Sequence, residues 1–350
     1  MGFTKRRVMA AVAAGAAAAT LLLGACTAGP SGHPKAGEPG AAGPCGSATT
    51  RLRNPAEWRH EVFLIQPAGV GTPWTGGSCG DSSRPVAFLA HGYLGSILEG
   101  YQGLVDHLVS NGFIVVFPGY DAEFDPPHQY AAVLQGFVTG VAASGRADTT
   151  RVGVIGHSFG GGMTPWLLQQ VAARGWGATA LWSTIFAPHF AFAVGTGDIP
   201  VPANTHLTMV NYAEDFVVDA RIGNEIYGAI VGPDHRRLPA GRTHHVMLRS
   251  DRSVTPPLVA DHIGPVSVEV IAGLGTIGVD QYDVWSTFRT IDATSRCSLQ
   301  ATWCTTDLTY TGTWADGHAV TPAVVDDHMA DMGPPAVQEC NFFLNPRHCP

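Results

Sequence analysis

Lysine is almost absent from this 350-residue chain. Lys5 and Lys35 are the only two, and both precede any stretch with a fold-forming pattern. A Schiff-base lysine, a Ser-Lys dyad and a Walker A lysine are thereby excluded. Charge is sparse as well, at 14% of residues, and no C-x-x-C pair or tight Cys/His cluster occurs. The fifteen histidines show no metal-ligand spacing, so neither metal nor organic cofactor is expected. Past Arg7 there is no basic run, and the formal charge of the whole chain is −8. Setting aside Lys5, Arg6 and Arg7 leaves 28 acids against 17 bases, or −11. Such a chain has no electrostatic reason to bind nucleic acid. An internal repeat and a second domain boundary are missing too.

What is present begins with an address. Lys5-Arg6-Arg7 precedes an apolar run at 8–23, and Leu23-Gly24-Ala25-Cys26 places small residues before a cysteine. That order is a secretory signal over residues 1–25. Its ending resembles the bacterial lipobox, which implies cleavage before Cys26, lipidation of that cysteine and anchoring to the outer face of the cell membrane. Ordinary secretion is the alternative. Residues 26–48 are rich in Gly, Ala and Pro without periodicity, which reads as a disordered tether. Residues 49–350 then form one domain.

Six cysteines remain after Cys26, an even number that suits an oxidising compartment. Proximity in sequence suggests the pairs Cys45–Cys79, Cys297–Cys304 and Cys340–Cys349 among the fifteen connectivities possible.

Within the domain, short apolar runs alternate with helical patterns. Strands are expected at 61–67, 85–92, 112–120, 151–155, 179–188, 206–212 and 244–250, and helices at 96–112, 130–144 and 163–175. The strands are continuously apolar, as when both faces of a parallel sheet are covered by helices. The fold class is therefore α/β. From about residue 290, four cysteines and short alternating stretches suggest a disulfide-pinned appendage.

The pattern G-x-S-x-G occurs twice, as Gly76-Gly77-Ser78-Cys79-Gly80 and as Gly156-His157-Ser158-Phe159-Gly160. The motif carries chemistry only between a buried strand and a helix, where a tight turn lifts the serine to the sheet edge. Residues 151–155 supply a strand and 162–174 a helix. Pro73 and Arg84-Pro85 flank the first match, which reads as a loop. Ser158 is the candidate nucleophile.

At GHSFGG (156–161) the chain resembles the α/β-hydrolase superfamily: secreted esterases, lipases, platelet-activating-factor acetylhydrolases and the GHSRGG of chlorophyllases. LRSDRSVTPPLVADH (248–262) and DVWSTFRTIDA (283–293) are more loosely similar to uncharacterised bacterial chlorophyllase-like hydrolases. The resemblance covers roughly residues 60–265. It implies an α/β-hydrolase fold and a Ser, acid, His order along the chain. Asp215, after the strand at 206–212, is the implied acid, with Glu214 and Asp219 as alternatives. His262, in the loop beyond the last strand, is the implied base. His244 and His245 begin that strand, at the wrong end, and His189 lies near the site. The oxyanion hole is expected from the N–H groups of Phe159 and, by resemblance to H-G-x motifs, Tyr93 of His91-Gly92-Tyr93.

The activity implied is hydrolysis of a small or polymeric carboxylic ester through an acyl-enzyme. A same-fold peptidase and a non-catalytic ligand-binding lipoprotein are the alternatives. Tyr93, Phe159, Trp166, Trp182 and Phe186 are candidates to line an apolar cleft.

Overall fold

The computed structural model describes residues 33–93, 95–121, 124–255, 257–267, 278–327 and 336–349. Residues 1–25, read above as a secretory signal, and Cys26 lie outside them. Among the described residues one sheet holds nine strands, β1 (Gly46–Asn54), β2 (Glu57–Ala68), β3 (Arg84–Ala90), β4 (Ile114–Pro118), β5 (Ala147–His157), β6 (Ala180–Phe186), β7 (Thr205–Tyr212), β8 (Thr243–Leu248) and β9 (Val324–Val325). Their spatial order is β1-β2-β4-β3-β5-β6-β7-β8-β9. The run from β4 through β8 is parallel, while β1, β2 and β9 pair antiparallel at the margins.

Among the described residues five α-helices lie between the strands: α1 (Gln102–Ser110), α2 (Pro126–Ser144), α3 (Phe159–Ala173), α4 (Ala220–Val231) and α5 (Arg289–Gln300). A π-helical segment, Asp283–Phe288, leads into α5. Every residue of β3, β4 and β6 is buried. The two-residue period of a strand then divides each of them between two cores. Val86 and Phe88 of β3 pack with Phe137 of α2 and Leu167 of α3. Ala87 and Leu89 pack with Leu104 and Leu108 of α1 and Ile291 of α5. Helices thus cover both faces, as the continuous apolar runs require.

Three expectations change. Residues 34–45, read as tether, lie against the domain. The Gly40 and Gly43 N–H groups donate to Asp292 (2.8 Å) and Ser110 Oγ (3.0 Å), and Asn111 Nδ2 donates to the Ala41 carbonyl (3.0 Å). Glycine permits that approach: a Cβ on Gly43 would stand 2.1 Å from the Ser110 carbonyl oxygen. Second, the appendage begins beyond α5 rather than near residue 290. Ile291 of α5 is fully buried, and Ser298 Oγ donates to the Leu181 carbonyl of β6 (3.1 Å). Third, Phe159, Trp182 and Phe186 belong to the core, not to a cleft. Trp182 lies over Gly153 of the neighbouring strand, where a Cβ would meet its ring at 2.1 Å.

Disulfides join Cys45 to Cys79, Cys297 to Cys304 and Cys340 to Cys349, with Cα separations of 5.5, 4.8 and 5.6 Å. The last holds a tail that reaches the site. Val337 and Gln338 N–H groups donate to the Phe216 and Val217 carbonyls, both at 2.8 Å.

Candidate active site

The chain after β3 returns through β4 on one side of the sheet, and the chain after β5 continues to β6 on the other. The carboxyl ends of β3 and β5 therefore flank a topological switch point, where open α/β sheets leave a crevice. Ser158 stands at the end of β5, one residue before α3. Its backbone holds φ 55° and ψ −118°, a strained conformation for a residue with a Cβ. Neighbouring bonds hold it there. Its N–H donates to the Phe186 carbonyl (3.0 Å), and its carbonyl accepts from Gly162 (3.0 Å) and His189 (2.8 Å).

The flanking glycines are needed for space. A Cβ on Gly156 would stand 2.0 Å from Thr164 Oγ1, and one on Gly160 2.1 Å from the Ala90 carbonyl oxygen. Gly160 N–H donates to the His91 carbonyl (3.1 Å), which locks the turn to the loop after β3. That carbonyl also accepts from Tyr120 Oη (2.7 Å), and the His91 ring stacks on Tyr120 at 3.9 Å. Burial lowers the His91 pKa to about 3, so the ring stays neutral. Its Nδ1–H donates to the Gly92 carbonyl (2.7 Å).

Three side chains from three loops converge. His262 Nε2 lies 2.9 Å from Ser158 Oγ, and His262 Nδ1 lies 2.8 Å from Asp215 Oδ2. All three residues are buried. The second carboxylate oxygen, Asp215 Oδ1, accepts from the Val217 (2.9 Å) and Val218 (2.8 Å) N–H groups. Those bonds fix the carboxylate plane toward the imidazole. A carboxylate on Nδ1 leaves Nε2 as the lone-pair nitrogen facing the hydroxyl.

The alternatives are engaged elsewhere. Glu214 pairs with Arg252. Asp219 caps α4 by accepting from the Arg221 N–H (3.0 Å). His245 Nε2 meets Asn211 Nδ2 at 2.9 Å inside the sheet. His189 borders the nucleophile, its ring 5.9 Å from that of Phe159 and its Nε2 3.3 Å from Gln338 Oε1. Burial brings its pKa down to about 4.

Phe159 opens α3, where helix geometry leaves N–H groups without an intrahelical acceptor. Tyr93, half-buried in the loop after β3, sets its ring edge-on to Phe159 at 6.1 Å. Phe124 and Phe192 add to the same wall, 6.2 and 6.1 Å from Phe159, and Phe124 remains 42% exposed. Trp166 packs behind it on Tyr130 at 5.5 Å. Among the described residues no group of three or more His, Cys, Asp or Glu is placed to hold a metal ion.

Sequence reasoning missed Tyr101 and His157, which together contact the loop after β3 and the His262 loop. His157 was visible inside the G-x-S-x-G pattern, but nothing in the pattern says whether that side chain faces inward.

Fold and site together define an α/β-hydrolase. No family model matches the chain. The chain is 31% identical over 218 residues to a bis(hydroxyethyl) terephthalate hydrolase of Streptomyces coelicolor, a match covering 57% of this chain and 68% of that protein. The chain belongs to that family of α/β-hydrolase esterases and is a carboxylic ester hydrolase.

Proposed function

We propose that this protein is an exported, lipid-anchored serine esterase for aromatic carboxylic esters of short alcohols, acting through Ser158, His262 and Asp215. The observation that carries the reading is the unbroken line from Ser158 Oγ through His262 to Asp215, at 2.9 and 2.8 Å.

His262 Nε2 accepts the Ser158 proton as Oγ attacks the ester carbonyl carbon. The carbonyl π pair moves to oxygen, and the N–H groups of Phe159 and Tyr93 meet that charge. Asp215 stabilises the imidazolium and keeps its orientation. The tetrahedral intermediate collapses, the C–O bond to the alcohol breaks, and His262 gives its proton to the departing alkoxide. Water then repeats the sequence on the acyl-enzyme and releases the acid.

The substrate class rests on two supports. The Streptomyces relative acts on bis(hydroxyethyl) terephthalate, a diester of an aromatic acid. Beside Ser158, Tyr93, Phe124 and Phe192, packed around the buried ring of Phe159, offer ring faces and edges to a flat acyl group. Export and anchoring rest on the leader 1–25, on Cys26, and on three disulfides that suit an oxidising compartment.

The test compares bis(hydroxyethyl) terephthalate with p-nitrophenyl acetate, butyrate and palmitate, using the full chain beside Ser158→Ala. Hydrolysis of the terephthalate and the short esters, lost in the variant, is expected. A preference for palmitate would overturn the aromatic reading, and activity retained by Ser158→Ala would overturn the triad. Cys26→Ala should move the protein from the membrane fraction to the medium without loss of turnover.

A further inference from the structure

The reaction just described leaves two buried polar side chains beside Ser158 without a part. His157 precedes the nucleophile and is 4% exposed; Tyr101, in the turn that opens α1, is 2% exposed. Tyr101 Oη lies 2.7 Å from His157 Nδ1 and accepts from the Gly92 N–H (2.8 Å). His157 Nε2 lies 2.8 Å from the carbonyl oxygen of His262.

The direction of each bond follows from chemistry. A carbonyl only accepts, so His157 Nε2 carries the proton. A neutral imidazole then has a bare Nδ1, so the Tyr101 hydroxyl donates to it. The phenol oxygen keeps a lone pair for Gly92. The chain of bonds runs one way: Gly92 N–H to Tyr101 O–H to His157 to the His262 carbonyl.

The ends of that chain are the two loops the reaction depends on. Gly92 adjoins Tyr93 in the oxyanion loop, and the His262 carbonyl belongs to the base itself. The middle member is covalently next to Ser158. The packing is close at this junction: a Cβ on Gly92 would come within 3.1 Å of His157 Nδ1, 3.2 Å of Ser158 Cβ and 3.3 Å of Tyr101 Oη. Tyr101 is fixed from behind. Its backbone bridges Ser267, whose Oγ accepts from the Gly103 N–H (2.7 Å).

The His157 and His262 rings lie 4.9 Å apart. Burial first, and the neighbouring His262 second, hold the His157 pKa well below the usual histidine value. A neutral neighbour does not oppose the imidazolium that His262 becomes.

We propose that Tyr101 and His157 are positioning residues for ester hydrolysis, a one-way hydrogen-bond relay that sets the oxyanion loop and the His262 backbone in register with Ser158. The inference rests on the reading of Ser158 and His262 as the reacting pair. Neither residue touches substrate in this role. Their loss should therefore lower kcat and leave KM nearly unchanged, because a base displaced by about 1 Å costs on the order of 100-fold in rate.

The test uses the full chain with p-nitrophenyl butyrate, and measures kcat, KM and melting temperature for Tyr101→Phe, His157→Gln, His157→Leu and Ser158→Ala. Tyr101→Phe removes one oxygen and should lower kcat about 10- to 100-fold with KM within about threefold. His157→Leu should fall at least as far. His157→Gln offers one donor and one acceptor at similar reach, and should recover most of the difference from leucine. The double variant Tyr101→Phe/His157→Leu should be no worse than His157→Leu alone, because the two act as one unit.

If His157→Leu does not fold, Tyr101→Phe and His157→Gln still decide. A Tyr101→Phe kcat within twofold of the parent overturns the relay, as does a glutamine variant no better than leucine. A KM that rises at constant kcat overturns it too, by assigning the pair to substrate contact. Activity retained by Ser158→Ala would remove the underlying reading and the relay with it. A silent Ser158→Ala beside an unchanged Tyr101→Phe removes the relay alone.

Discussion

Residues 76–80 and 156–160 share the pattern G-x-S-x-G, and the chain gives them opposite uses. At 156–160 the positive φ falls on the serine, at 55°, and the outer glycines supply clearance for crossing backbone. At 76–80 the positive φ falls on Gly76 (85°) and Gly77 (65°), and a Cβ on Gly76 would meet nothing within 4 Å. The first stretch joins a buried strand to a helix and faces His262. The second is a loop tied by Cys79 to Cys45, with Arg84 donating to the Gly76 and Ser78 carbonyls. One string of letters therefore encodes a strained turn in one context and a clasp in another. What separates them is the apolar strand before Ser158, not the motif.

Substitution can break that contrast. The largest expected difference is between the serines. Ser158→Ala should lower kcat by about 10⁴-fold or more, while Ser78→Ala should leave it within about twofold. Matched esterase assays of the two variants measure this directly. Next is the disulfide that defines the first match. Replacing Cys45 and Cys79 by serine opens a 34-residue span and should cost about 3 kcal/mol in chemical denaturation, with kcat unchanged below the melting transition. The glycines come third. Gly160→Ala forces a Cβ against backbone and should lose about 2–3 kcal/mol together with activity. Gly76→Ala bears only the left-handed backbone cost, about 1–2 kcal/mol, and should stay active. Equal losses of activity from the two alanines would erase the distinction.

The smallest effects are in pH. Buried and neutral, His91 (pKa about 3), His157 (well below the usual value) and His189 (about 4) bind protons more weakly folded than unfolded. Their contribution is complete above about pH 6.5 and is lost as pH falls through the folded values. Asp261, beside His262, has the reverse sign. Burial raises its pKa to about 6, so ionising it costs stability as pH rises from about 4 through 6. Asp261→Asn should therefore melt higher than the parent at pH 7.5 and equally at pH 3.5. Melting curves across that range check both signs.

Much of the fold was legible because its central strands are buried on both faces. Seven runs read from apolar continuity coincide with β2 through β8, within a few residues at their ends. The elements that escaped lack that signature. β1 is a margin strand, GSATTRLRN, exposed along most of its length, and its pairing with β2 is set by backbone rather than by an apolar face. Helix α5, RTIDATSRCSLQ, reads as polar, yet Thr290, Asp292, Thr294 and Ser295 are buried. They are accommodated by bonds such as Thr294 to Thr208 (2.7 Å) and Asp292 to His107 (3.0 Å), which no local pattern announces. Helix α4 was within reach. Ile222, Ile226 and Ile230 recur every fourth residue behind the Asp219 cap, but that aspartate was weighed only as a possible acid.

At the site, the Ser, acid, His order implied by the resemblance pointed to Ser158, Asp215 and His262, which follow β5, β7 and β8 in the chain and lie within 2.9 Å of one another in turn. Tyr101 falls inside the helix expected at 96–112, where its spacing reads as one more apolar position. Its hydroxyl matters only once β3, β5 and the loop after β8 are side by side. Trp182 shows the converse error, since an aromatic near the motif was offered as cleft when Gly153 had reserved space for its ring.

Mass-spectrometric mapping of the full chain after reaction with a fluorophosphonate tests the central claim most directly. The expected result is one adduct per molecule on Ser158, prevented by His262→Ala and absent from Ser78. An adduct on another serine, or none from a folded protein that still hydrolyses esters, would contradict it.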